Sequence, residues 1–444
     1  MFSAATYQRR RQALSERVTS GLLFLPGNGE SPMNYAGNDY PFKQDSNFRY
    51  FAGHNQPDLA LTVDAASGES KLWGDDISLD HIIWMGEQPS IAELAQACGA
   101  TYGGTRSELT TLLEKHRAEV RYLPPYRAPR KQYLHETLGH CDQADETFIR
   151  AVVDLRSVKS AEELEQMEIA VRTSLDMHAA AQRHAAPGQK EAHTAGILEG
   201  IAISAGGRLA YPAIVTRNGQ VLHNHYHGNV LQRGDLLLID AGAEAPSGYA
   251  GDLTRTFAVG QPLTERQRAV YDIVQRAREE SIAAVRPGVP FRDLHLEAGR
   301  IIARGMEDLG LMKGDVDEAV AAGAHALFMP HGLGHMIGLD VHDMEDLGED
   351  LVGYDEEVQR STQFGTRNLR LGRRLREGFV VTIEPGIYFI PALIDRWRAE
   401  GAHGAFIDYA ELEGYRDFGG IRLEDNVVVT AGGRRVLGEA HRTV

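Results

Sequence analysis

Four acidic residues of this chain sit against its most apolar runs, and that placement constrains the fold more than any other feature. Asp240 closes the run LLLI, Asp252 precedes LTRTFAV, Glu384 closes VVTI, and Glu424 stands between IRL and DNVVV. Continuous apolar runs of this kind read as strands buried on both faces. A carboxylate delivered to the end of a buried strand is costly unless something positive meets it. Carboxylates that share one site repel each other unless cations lie between them. Simpler readings exist for each pair taken alone. Asp240 can cap the turn that follows it while Asp252 pairs with Arg255, and Arg422 with Glu424 can form a surface salt-bridge strand.

Histidines supply the second signal. The stretch FMPHGLGHMIGLDVHD, residues 328–343, carries His331, His335 and His342. Glycines at 332, 334 and 338 rule out the two-histidine helix face of a zinc protease, so irregular chain running into a short strand is expected. Upstream, VLHNHYHGN places His223, His225 and His227 at alternate positions. On a strand these would share one face, but three imidazoles alone favour zinc or copper, whereas the acids favour harder ions. One of the three is therefore expected to work in the site. The block GGIRLEDNVVVT reads as one central strand with Arg422 and Glu424 on the same face. Four carboxylates and one or more histidines suit manganese, cobalt, iron or zinc. Four negative charges balance two divalent cations, and a two-metal site clamps a hydroxide nucleophile and a developing oxyanion, which is hydrolytic chemistry.

A chain of 444 residues suggests two domains, and a boundary near residue 155 divides it into 1–155 and 156–444. In the first, a helix is expected over Tyr7–Val18 and a strand over Leu22–Leu25. An aromatic core with polar turns is expected in residues 32–53, and a hairpin from Leu59–Val63 and Ser70–Trp73. Helical patterning follows over 91–117, then a strand at Val120–Leu123. The proline-rich, basic run LPPYRAPRKQ, residues 123–132, reads as a loop and not as a binding motif. In the second, Ser160 with Glu163 forms a capping box, followed by helices to Pro187, over Glu191–Ser204, from Thr264, capped with Gln267, to about Val285, and over Phe291–Leu309. A strand is expected over Ala210–Thr216. The order helix pair, strands with acids, helix pair, strands with acids amounts to an internal repeat.

The net charge of −16, with no concentrated basic patch, argues against nucleic acid as a partner. No apolar stretch is long enough to span a bilayer, so no membrane partner is expected. The basic amino-terminal cluster lacks a following apolar core, against a secretory signal. Two cysteines, Cys98 and Cys141, fit a reducing, cytoplasmic location.

The blocks LLLIDAGAE with GYAGDLTRTF, FMPHGLGHMIGLDVHD, VTIEPGIYF and GGIRLEDNVVV together resemble the creatinase-like "pita-bread" metallopeptidases, in particular their prolidase and aminopeptidase P branch. The resemblance covers nearly the whole chain, residues 32–53 included. It implies an α+β protein, with a smaller amino-terminal α/β domain followed by a pita-bread catalytic domain built on a pseudo-two-fold repeat. It implies metal ligands at Asp240, Asp252, His335, Glu384 and Glu424, with Asp252 and Glu424 bridging two divalent ions. The ions would be manganese (Mn2+), with Co2+, Zn2+ or Fe2+ as alternatives. Catalytic roles fall to Glu384 as proton acceptor and to His223, His331, His342 and Arg422, and substrate contacts to Arg370, His223 and His342. The implied substrate is a proline-containing di- or oligopeptide cut at the Xaa-Pro bond, and the implied assembly is a homodimer.

Two features depart from the family pattern. The turn between Asp240 and Asp252 is one residue longer than usual, with Pro246 and Ser247 inside it, and an acidic stretch from His342 to Gln359 reads as a solvated loop. Arg370, fourteen residues before Glu384, resembles the arginine with which prolidases clamp a dipeptide's carboxylate. The insert between Tyr388 and Gly419 is also prolidase-like. The chain therefore leans toward an Xaa-Pro dipeptidase, with Xaa-Pro aminopeptidase as the alternative and a metal-free peptide-binding module as a remote one.

Overall fold

The computed structural model describes residues 2–439. Contacts divide the chain into two compact units, Met1–Arg156 with Met344–Val352, and Ser157–Asp343 with Gly353–Val444.

The first unit opens on helix α1 (Ala4–Arg17) and strand β1 (Leu22–Pro26), then α2 (Ser46–Ala52), β2 (Ala60–Asp64), β3 (Ser70–Trp73), α3 (Leu79–Met85) and α4 (Ile91–Ala97). Strand β4 (Thr101–Gly104), α5 (Arg106–Lys115), β5 (Val120–Tyr122), α6 (Ala128–Leu138) and α7 (Glu146–Ser157) complete it. The sheet order is β4-β3-β2-β1-β5. The helical patterning over 91–117 conceals β4, because Thr101–Gly104 is too short and glycine-rich to show a strand period. The expected loop over 123–132 turns helical at Ala128, since Pro129 is tolerated in a first turn. Of the aromatics in 32–53, Phe48, Tyr50 and Phe51 are buried, while Tyr35 and Tyr40 face solvent.

The second unit carries the repeat. Helices α8 (Ala161–His184) and α9 (Glu191–Ser204) precede β6 (Arg208–Leu209), β7 (Ile214–Thr216), β8 (Leu236–Asp240), β9 (Ala243–Glu244) and β10 (Thr254–Ala258). Helices α10 (Glu265–Ala284), α11 (Phe291–Asp308) and α12 (Val316–Ala322) lead to β11 (Val380–Ile383), β12 (Gly386–Tyr388), α14 (Pro391–Glu400), β13 (Gly420–Arg422), β14 (Asp425–Thr430) and β15 (Gly433–Val436), while the short α13 (Glu349–Gly353), between α12 and β11 in the chain, falls mostly in the first unit. Each helix pair packs on itself, and the three-stranded sheets β10-β8-β7 and β11-β14-β15 answer each other. The boxes at Ser160 and Thr264 form as expected, each side chain accepting from the N3 backbone N–H.

Two local expectations fail. GGIRLEDNVVVT is two strands, β13 and β14, with Leu423 and Glu424 between them, so Arg422 and Glu424 do not share one strand face. The acidic stretch after His342 is more than a solvated loop: Met344, Leu347, Val352 and Tyr354 are buried, and Met344–Val352 clusters with the first unit.

Candidate metal centre

The two hairpin ends bring the acids together. β8 and β10 pair so that Thr254 lies opposite Asp240. Backbone bonds from Ala241 to Leu253 and from Gly251 to Ala243 fold the intervening turn back on itself. A Cβ on Gly242 would fall 1.8 Å from the Gly251 carbonyl oxygen, so only glycine fits this crossing. The tip of the turn closes between Ala245 and Tyr249, where Ala245 N–H donates to the Tyr249 carbonyl (2.9 Å) and Gly248 N–H to that of Ala245 (2.7 Å). Asn426, on β14, brackets Asp252 by accepting from its N–H (3.0 Å) and donating to its carbonyl (2.6 Å).

His335 is delivered by an irregular segment that behaves as an extra strand beside β11. Thr382 N–H donates to the His335 carbonyl (3.0 Å) and Glu384 N–H to that of Leu333 (2.9 Å), while His335 N–H donates to Thr382 Oγ1 (3.0 Å). This pairing sets His335 Nε2 at 3.6 Å from Glu384 and 3.4 Å from Asp252. The His335 Nδ1 contact to the Met336 carbonyl (2.9 Å) makes Nδ1 a proton donor and turns Nε2 toward two carboxylates, where it holds a proton in the metal-free protein or meets a cation. His342 stacks on the same ring, with centroids 3.9 Å apart.

A second network flanks the acids. Tyr211 Oη contacts Asp240 (2.6 Å) and also Asp252. Arg422 donates to Asp240 (2.5 Å), to Tyr388 Oη (2.8 Å) and to Thr254 Oγ1 (3.2 Å). Tyr388 Oη in turn lies 2.9 Å from His331 Nε2, and His331 Nδ1 donates to the Gly332 carbonyl (2.8 Å). Arg422 and Glu424 thus converge on Thr254, whose hydroxyl donates to Glu424 (2.7 Å), although they leave the chain on different strands. Asp252 does not pair with Arg255, which instead binds Asp425 at 2.9 Å.

The electrostatics follow from burial. Burial, opposed by His335 and Arg422 and reinforced by the other acids, pushes Glu384 up to about 7. Burial and its acidic neighbours hold Glu424 well above the usual carboxylate range. Burial also acts to raise Asp252, but the hydrogen bond and charge of His335 outweigh it, so this carboxyl lies below its ordinary value. Burial and the Arg422 charge lower His331 to about 3, which keeps it neutral.

The profile of metallopeptidase family M24 matches residues 165–431, and that of the aminopeptidase P amino-terminal domain matches residues 7–122. The chain belongs to metallopeptidase family M24. Among its M24 relatives, human Xaa-Pro dipeptidase is 31% identical over 99% of this chain and 92% of its own length. Xaa-Pro aminopeptidase of Escherichia coli is 33% identical over 98% and 94%. The fold matches E. coli aminopeptidase P with the inhibitor Pro-Leu at a TM-score of 0.81 and 31% identity, covering 99% of this chain and 95% of that one. It matches the zinc-substituted enzyme in complex with product at 0.81 and 30%, covering 99% and 96%.

An M24 metallopeptidase uses divalent metal ions, and the residues present fit them. Ligand atoms of Asp252, His335 and Glu424 all lie within 4.8 Å of one another. Glu424 Oε1 is buried without a hydrogen-bond partner, which leaves an acceptor waiting for a cation. His335 Nε2, turned toward two carboxylates, is placed to exchange its proton for a cation between them.

Of the sequence-derived residues, His223, His331, His342, Arg370 and Arg422 line one cavity of about 160 Å³ together with Asp252, His335, Glu384 and Glu424. Asp240 stands behind this group, tied to it through Tyr211 and Arg422. His225 is exposed, and His227 bonds the Ala213 carbonyl (3.1 Å), so of that triplet only His223 reaches the cavity. Sequence reasoning missed Tyr211, Thr254, Tyr388 and Asn426. Tyr388 was legible as a polar tip four residues past Glu384, whereas Tyr211 falls in the expected strand Ala210–Thr216 but ahead of the observed β7, and nothing beside it in the chain marks its contact with the aspartates.

Proposed function

We propose that the chain is a dinuclear-metal peptidase that hydrolyses the Xaa-Pro bond at the amino terminus of peptides, acting on dipeptides as an Xaa-Pro dipeptidase. The observation that carries the preference is Arg370 on the wall of the same small cavity as the acids and histidines. A guanidinium there suits the terminal carboxylate of a two-residue substrate. Relatives named for the dipeptidase and the aminopeptidase are about equally similar, so aminopeptidase action on longer peptides is the second reading.

In this reading Asp240, Asp252, His335, Glu384 and Glu424 hold two ions, manganese in the cell. When bound, the ions supply Lewis-acid polarisation of the scissile carbonyl and acidify a water molecule. Glu384, raised to about 7, accepts the proton of the attacking water and passes it to the departing proline nitrogen. His223 and His342 steady the carbonyl oxygen as it gains charge, and neutral His331, held through Tyr388 by Arg422, fixes that wall of the pocket. Proline's tertiary amide has no N–H and a fixed φ, which a shaped pocket can exploit. No helix among the described residues is long and apolar enough to cross a membrane. The two free cysteines fit the proposed cytoplasmic location, and a homodimer is the proposed assembly.

The test offers the manganese-loaded protein an Xaa-Pro dipeptide beside a longer peptide beginning Xaa-Pro, with Arg370→Ala in parallel. Dipeptide cleavage that falls by roughly 10- to 100-fold in kcat/KM in the variant supports the dipeptidase. Release of the first residue mainly from the longer peptide makes it an aminopeptidase. Cleavage of neither, with no manganese bound, returns the chain to a binding module.

A further inference from the structure

A second cavity, of about 590 Å³, lies wholly in the first unit. We propose that it binds a small organic anion, a carboxylate or phosphate head on an apolar or ring-shaped body, at a site separate from the metal centre.

Topology is the first support. Because β2 is antiparallel to both β1 and β3, while β4 runs with β3 and β5 with β1, four of the five strands point the same way. The cavity is walled by the segments that follow all four: Gly27–Ser31 after β1, Asp75 after β3, Arg106 after β4, and Arg127 to Arg130 after β5. Crevices outside the carboxyl ends of such strands are where open α/β sheets take ligands. The loop after β1 passes close to its neighbours: a Cβ on Gly27 would lie 2.8 Å from the Leu59 carbonyl oxygen, and one on Gly29 2.9 Å from Asp58.

Charge is the second. Arg106 pairs with Asp58 (3.3 Å), and its backbone N–H donates to Asp75 (3.2 Å), so both aspartates are engaged at the start of α5. Arg127 and Arg130 differ. Arg127 donates to the Gly29 carbonyl (3.3 Å), and Arg130 to the carbonyls of Pro26 (3.1 Å) and Gly27. Among the described residues no carboxylate stands within ion-pair distance of either guanidinium. The direct partners of both guanidiniums are carbonyl oxygens, while Asp45 acts on Arg130 from beyond ion-pair distance and Glu30 also lines the cavity; two half-buried cations with no carboxylate in contact still favour an incoming anion. The amino-terminal end of α6, which carries both arginines, adds partial positive charge at the same wall. Phe24, Leu109, Pro129 and Tyr133 supply an apolar side for the body of the ligand.

The test titrates the full-length, manganese-loaded protein by calorimetry with phenyl phosphate, benzoate and inorganic phosphate, each to about 5 mM, the range of a weak site. Arg127→Gln, Arg130→Gln and Glu384→Gln are run alongside. Binding of phenyl phosphate or benzoate that weakens roughly tenfold in either arginine variant, but persists in Glu384→Gln, supports the site, and the stronger of the two probes identifies the head group. Arg127 makes one long hydrogen bond, so its variant reports even if Arg130→Gln misfolds. No binding of either organic probe, undiminished binding in Arg127→Gln, loss of binding in Glu384→Gln, or inorganic phosphate binding as tightly as phenyl phosphate would overturn the proposal.

Discussion

Gly334→Ala probes whether the metal centre depends on the pairing of residues 333–337 with β11. An alanine Cβ at 334 would lie 2.0 Å from the Thr382 carbonyl oxygen and 2.7 Å from Thr382 Oγ1. Carbon and oxygen need about 3.3 Å, so the two backbones must part by about 1.3 Å. That opening stretches the bonds of Thr382 N–H to His335 (3.0 Å), Glu384 N–H to Leu333 (2.9 Å) and His335 N–H to Thr382 Oγ1 (3.0 Å). At about 1 kcal/mol each, the loss is about 3 kcal/mol. In a domain of this size that lowers Tm by roughly 6–12 °C. The same shift separates His335 from Glu384, now 3.6 Å apart, and displaced ligands of this kind cost about 10- to 100-fold in metal affinity. The assays are thermal unfolding of the metal-free protein by circular dichroism and manganese titration by calorimetry. Gly196→Ala is the control. A Cβ there meets nothing within 4 Å in α9, and the variant gains up to about 1 kcal/mol of stability. If Gly334→Ala melts within about 1 °C of the parent and binds manganese equally well, the pairing does not set the site.

Other consequences are open to measurement. Tyr211→Phe removes the hydroxyl shared by Asp240 and Asp252, so manganese binding weakens by about 10- to 100-fold; unchanged affinity would show that Arg422 alone orients Asp240. Lys159→Met strips the ammonium that meets buried Asp343 at 2.9 Å and costs about 3–5 kcal/mol in urea unfolding, a loss below about 1 kcal/mol being incompatible with a closed ion pair. Metal binding must displace protons from Glu384, at about 7, and from Glu424, held higher. Because both folded values are raised, the metal-free site is protonated below neutrality, and apparent manganese affinity climbs as pH rises toward and beyond 7. Calorimetry near pH 6.5 in buffers of different ionisation enthalpy counts the protons, and a count of zero would contradict the raised values.

Much of the fold was legible because its signals are local. The capping boxes at Ser160 and Thr264 need only residues three apart. Helix α9 matches its expected span of Glu191–Ser204, and β8 and β11 show as unbroken apolar runs. Strand β4 was hidden because four residues between two helices offer no periodicity to read. The split of GGIRLEDNVVVT was hidden for a different reason: alternation continues through Leu423 and Glu424 while the hydrogen-bonding partner changes from β12 to β11. Helix α6 escaped notice because proline and arginine in its first turn resemble loop composition, and it is this run that forms one wall of the second cavity.

By itself the sequence marked the buried carboxylates that call for a positive partner. Acids at the ends of apolar strands, and histidines between glycines, have no cheaper solution at any fold that buries those strands. It also determined the repeat, through two successions of capped helix pairs and buried strands. Tertiary structure alone decided how the acids are held: Tyr211 on two aspartates, Asn426 around the backbone of Asp252, Thr254 between Arg422 and Glu424. These contacts join residues 29 to 174 positions apart. No local pattern encodes such pairs, because a hydrogen bond depends on where two backbones cross and not on what lies beside either residue in the chain.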